Sequence, residues 1–131
     1  MFTVNEFTPI SILNNFNVMG IHFVYITAGS LEEAKSIGHA LVEERLAACV
    51  NMFDGMRSIY RWKGALEEAQ EVVVIAKTRS ALVKKLIKRV EQLHSYETPC
   101  ALAFKITDGT RGYVRWLQAE TAQPKKRERK K

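Results

Sequence analysis

Apolar and polar positions follow two different periods along this chain, and the points where the period changes mark out its elements. Ile21-His22-Phe23-Val24-Tyr25-Ile26-Thr27 is apolar on both faces except at His22 and predicts a first strand. Ser30-Leu31-Glu32-Glu33 has the spacing of a capping box, with Ser30 accepting from the Glu33 amide and the Glu33 carboxylate reaching back. Ala34, Ile37, Gly38 and Leu41 continue at helical spacing, so a helix is expected to about Leu46.

Ala47 to Thr78 then predicts one long hairpin around which the rest is organised. Its first arm, Cys49 to Trp62, is rich in strand-forming residues, with Gly55 expected as a bulge, and Val72-Val73-Val74-Ile75 is an unbroken β-branched run. Lys63 to Glu68, containing Gly64 and an acidic pair, is expected to connect the two arms. Tyr60 and Trp62 are two apart on one side of a ribbon that is marginal by itself, so a second subunit is expected to cover that face. Ser80 is placed to cap a second helix, with Val83, Leu86, Ile87 and Val90 inward and Lys84, Lys85, Lys88 and Arg89 outward. Pro99 disfavours helix at Thr98, making His94 to Thr98 a connection into a strand from Cys100 to Thr107. Asp108-Gly109 ends that strand, and Tyr113, Trp116 and Leu117 form the apolar stripe of a last helix. The order βαββαβ plus a C-terminal helix predicts an α+β fold, a ferredoxin-like split βαβ sandwich.

Length and composition are those of one domain: 131 residues, 47% hydrophobic and 26% charged. The net charge of +6 is concentrated at the end. Lys125 to Lys131 holds six of the 20 basic side chains and one of the 14 acidic ones, which leaves 14 against 13 elsewhere. Residues 121–131 are therefore expected as a basic disordered tail, and residues 1–20, which lack any clear period, as a flexible extension. Between them lies one domain, 21–120. Neither nucleic acid nor a membrane is expected as a partner, because the body is nearly neutral and no apolar run reaches the roughly 18 residues of a span. No Lys or Arg precedes Lys35, so a basic leader is missing and a cytoplasmic location is expected. Cys49 and Cys100 show no CxxC spacing and are expected reduced and packed.

No catalytic constellation or phosphate-cradling loop is visible, so no enzymatic activity is expected. His94 and Glu97 are three apart in an irregular connection where side chains can converge, which makes them the candidate metal ligands. The alternative for His94 is a charge at a helix C-terminus, with Glu97 a surface residue.

The segments Glu44-Arg45-Leu46-Ala47-Ala48-Cys49-Val50-Asn51, Ser58-Ile59-Tyr60-Arg61-Trp62-Lys63-Gly64, Glu71 with Lys77-Thr78, His94-Ser95-Tyr96-Glu97-Thr98-Pro99 and Tyr113-x-x-Trp116-Leu117 together resemble the CutA divalent-cation tolerance family. The resemblance runs from about Ile21 to Glu120. It implies a ferredoxin-like fold, a homotrimer built by pairing of the hairpins, and a role in tolerance of copper and other divalent metals. Bacterial members have copper ligands assigned at a first-strand Cys and a His pair; here those positions are Ile26 and Leu93-His94. The expected function is thus weak binding of copper or another divalent ion near His94 and Glu97, with no cofactor required for folding. The alternative is a signalling or scaffold trimer that takes a small anionic ligand or a partner peptide in intersubunit clefts lined by Tyr60, Trp62, Lys77 and Tyr96.

Overall fold

In the computed structural model, which describes residues 20–124, the elements follow in the order β1 (Ile21–Ala28), α1 (Leu31–Glu43), β2 (Cys49–Trp62), β3 (Ala65–Arg79), α2 (Val83–Leu93), β4 (Ala101–Lys105) and α3 (Arg111–Glu120). The four strands form one antiparallel sheet in the order β2-β3-β1-β4, the ferredoxin-like arrangement. Most of the expected N-terminal extension and basic tail lies outside the described residues. Packing continues to Thr121, which is fully buried and whose carbonyl accepts from Arg79 Nη2 at 2.9 Å.

The core forms where the even-numbered side chains of β1 and β3 meet the helices. Val24, Ile26, Val72, Val74 and Ala76 pack against Ala34, Ile37 and Leu41 of α1 and Leu86 and Val90 of α2. Each of the larger side chains contributes about 1.5–3 kcal/mol by leaving water. Gly38 lets α1 lie close on β2, since a Cβ there would come within 3.2 Å of Val50 Cγ1. A second cluster joins Ile21 and Ala48 to Val114 and Leu117 of α3. The buried stripe of α3 is therefore Val114 and Leu117, and the expected Tyr113 and Trp116 are only half-buried.

Four local expectations are corrected. The helix α1 ends at Glu43, not about Leu46, because Arg45 turns left-handed (φ 58°) and the amides of Leu46 and Ala47 fold back onto Leu41 O at 2.9 and 3.0 Å. Lys63 and Gly64, both at positive φ (48° and 82°), make a two-residue turn, so Ala65 to Glu68 belong to β3 and not to a connection. Ser80 starts a short 3₁₀ turn (Ser80–Leu82) without capping α2; its hydroxyl is 2.7 Å from His22 Nδ1 instead. Arg89, expected in solvent, pairs with Glu44 through its Nε and Nη2 at 2.9 and 3.1 Å.

The hairpin outruns the sheet. The β1 ladder reaches only Val72 on β3, so Ala65 to Glu71 pair with β2 alone. Ile59 and Leu66 are 70% and 71% exposed along this ribbon.

Candidate functional site

The free ribbon, the end of β1 and the connection after α2 enclose a cleft of about 450 Å³. Tyr60, Trp62 and Tyr96 give it aromatic walls, Glu71 and Glu97 give it two carboxylates, and Thr27, Thr98 and Cys100 complete it.

A bulge in β2 puts these groups on one face. Strand pairing steps from Phe53↔Val73 to Met56↔Glu71, so Asp54 and Gly55 together oppose Val72 alone, with Gly55 at φ 81°. One extra residue changes the parity of everything beyond it. Tyr60 and Trp62 thereby join the face that carries Glu71, where unbroken alternation from Phe53 would have sent Ile59 and Arg61.

Glu71 is 9% exposed, and the Tyr96 hydroxyl donates to its Oε2 at 2.9 Å. The Tyr96 ring reaches there by lying against Gly29, where a Cβ would stand 3.2 Å from its hydroxyl oxygen. Burial first, then the hydrogen bond and charge of Glu71 and the charge of Glu33, push the Tyr96 phenol far above its ordinary range, so it stays a donor. Burial and the Glu71 charge likewise raise the Cys100 thiol, against an opposing hydrogen bond with Thr27.

His94 holds this loop from within. Its side chain is fully buried, Nε2 donates to Thr27 O at 2.6 Å, and Nδ1 accepts the Tyr96 amide at 3.1 Å. A carbonyl can only accept and an amide can only donate, so this pattern fixes a neutral ring with its hydrogen on Nε2. Glu33 Oε1, buried without a hydrogen-bond partner, lies 3.5 Å from Nδ1.

The expected His94–Glu97 pair is thus divided between two environments. His94 turns inward, whereas Glu97 points out to Lys63 Nζ at 3.8 Å with its side chain 75% exposed. Tyr60, Trp62 and Tyr96 do share the cleft. Lys77 does not lie in it within one subunit: its Nζ sits 3.2 Å from the Tyr113 hydroxyl and 5.6 Å over the Phe23 ring. Ile26, at the position of the family's Cys, is fully buried in the core, and Leu93 packs against the same core. Cys100 is one of the few soft donors in the sequence, whereas Glu71 is not marked there as a ligand. The signal for Glu71 was its phase, an acid in step with Val73 and Ile75 on a buried strand.

As a metal site the donor set is open. Among the described residues no three His, Cys, Asp or Glu side chains gather around one point, so one subunit supplies no closed coordination shell.

The model of the CutA1 divalent ion tolerance protein family matches residues 22–120. The divalent-cation tolerance protein CutA of Thermus thermophilus is 48% identical over 98 residues, 75% of this chain and 95% of the relative. Its counterpart in Archaeoglobus fulgidus is 44% identical over 96 residues, covering 73% and 93%. Among solved structures, CutA1 from Oryza sativa superposes with a TM-score of 0.79 at 32% identity, covering 84% of this chain and all of that one. The Thermus thermophilus Cut A1 structure gives 0.76 at 46% identity, covering 78% and 99%. Sequence and fold agree over nearly the whole described chain, which therefore belongs to the CutA1 divalent ion tolerance family.

Proposed function

We propose that this protein serves divalent-cation tolerance without catalysing a reaction, as a homotrimer that takes up copper or another divalent ion weakly, as cargo, at the carboxylate cleft. The observation that carries the reading is Glu71: a nine-tenths buried carboxylate beside Cys100 and Glu97 in one cleft. Glu71 and Glu97 offer oxygen and Cys100 offers sulfur, a mixed set that suits borderline divalent ions. Binding is weak because, among the described residues, these three donors do not converge on one point within a subunit, and water or a neighbouring subunit completes the shell. His94 contributes by holding Tyr96 and the loop, since both of its ring nitrogens are engaged. The trimer reading rests on the free ribbon, whose edge strand β2 leaves a ladder unpaired and whose Ile59 and Leu66 are 70% and 71% exposed. Within one subunit the cleft carries two carboxylates and Lys77 lies outside it, which favours a cation there over the anionic-ligand alternative.

Calorimetric titration with copper(II) and zinc(II) tests the metal reading. Heat in the wild type that disappears in Glu71→Gln and survives in His94→Ala supports it; no heat in the wild type overturns it. Light scattering tests the assembly, with three times the 14.9 kDa chain mass expected and a single chain mass overturning it.

A further inference from the structure

We propose that the same cleft binds a small organic ammonium ion, seated against the faces of Trp62, Tyr60 and Tyr96 and neutralised by Glu71 and Glu97. The metal reading uses the carboxylates and leaves the rings without a role. A hydrated metal ion gains little from aromatic walls, because its water shell keeps the charge away from them. An alkylammonium is weakly hydrated and can lie directly on a ring face, which attracts it more strongly as water is excluded.

Three further observations point to a cation of this class. The lining contains two carboxylates and no Lys, Arg or His, in a chain whose net charge is +6. Within one subunit such a charge pattern selects against anions here. Glu71, nine-tenths buried, gives its Oε2 to Tyr96. Most directly, an ammonium already sits at the rim: Lys63 Nζ stands 5.6 Å over the Trp62 ring and 3.8 Å from the Glu97 carboxylate. The side chain of Lys63 is 72% exposed, so it marks the position without filling the cleft. The volume of about 450 Å³ falls in the range of small-molecule sites and far exceeds a single ion.

Choline is the probe, and 3,3-dimethylbutanol, its uncharged isostere, is the control. The chain has two tryptophans, Trp62 and Trp116, so the two indole N–H signals in ¹H–¹⁵N spectra report position as well as binding. Choline is expected to move the Trp62 signal and leave that of Trp116, with a Kd at least tenfold below that of the isostere. Trp62→Leu, followed by calorimetry, is expected to weaken choline about tenfold. Lys63→Asn removes the resident ammonium, keeps a residue that tolerates the left-handed turn, and is expected to tighten choline severalfold. It serves as the second variant if Trp62→Leu does not fold. Equal affinity for choline and the isostere, a shift at Trp116 alone, or choline binding unaffected by Lys63→Asn would each overturn the proposal. A protein that binds choline and no metal retains this inference and loses the metal reading, so the two fail separately.

Discussion

Replacing Tyr96 with Phe removes one oxygen and tests the polar arrangement at the cleft. The hydroxyl donates to Glu71 Oε2 at 2.9 Å, and hydrogen bonds to charged groups contribute about 1.5–3 kcal/mol. Tyr96 is only half-buried, so solvent partly replaces the bond and the lower end applies, about 1.5 kcal/mol. Packing is unaffected, because the Phe ring keeps its place beside Gly29 and its tilted contact with the His94 ring at 4.5 Å. Urea denaturation at fixed protein concentration and pH 7 measures the loss, and a cycle with Glu71→Gln should show about 1 kcal/mol of coupling. The pH dependence supplies a second readout. A phenol whose folded pKa lies above its unfolded value of about 10 contributes stability that is complete below that pH and lost as pH rises above it. Wild-type stability should therefore fall above about pH 10, and Tyr96→Phe should flatten that fall. A change under about 0.5 kcal/mol at pH 7 together with an additive cycle would refute the reasoning.

Gly55→Ala isolates backbone strain: no atom lies within 4 Å of the added Cβ, yet φ is 81°, so denaturation should show a loss of about 1–2 kcal/mol; a gain, as in an ordinary strand, would count against the bulge. Thr78→Val keeps shape but deletes the hydroxyl that donates to Leu46 O at 2.6 Å in the core, which should cost about 1–2 kcal/mol by the same assay. Cys100, its thiol raised by burial and by Glu71, should react with iodoacetamide at pH 8 more slowly than free cysteine. Glu71→Gln should speed that reaction by removing the nearby charge, with peptide mass spectrometry as the readout; an unchanged rate in this variant contradicts the assignment.

Much of the fold was legible because its signals are local. Capping chemistry starts α1 at Ser30, whose Oγ accepts the Glu33 amide at 3.1 Å. The uninterrupted Val72–Ile75 run announces a central strand, and Gly55 marks the bulge. Boundaries were harder. Arg45 ends a helix in a conformation usually left to glycine, and nothing in the sequence distinguishes it from a helical arginine. The length of the turn at Lys63-Gly64 was hidden because Glu67 and Glu68 look like loop residues, whereas cross-strand pairing with Tyr60 and Ile59 keeps them extended.

The sequence by itself determined the order of elements, the amphipathic faces and hence the ferredoxin-like sandwich, because period and capping act within a few residues along the chain. It also named Tyr60, Trp62, Lys77 and Tyr96 for clefts between subunits, of which Tyr60, Trp62 and Tyr96 line one cleft within a single subunit. Only the tertiary structure decided what they surround. Glu71 meets Tyr96 across 25 positions, and His94 meets Thr27 across 67, so neither contact leaves a mark on local pattern. The choice between His94 and Glu71 as the group facing the cleft depended on which atoms the folded chain had already engaged. Hydrogen-bond valence is settled by neighbours in space, and those neighbours come together only when the β2 bulge and the loop after α2 close on the end of β1.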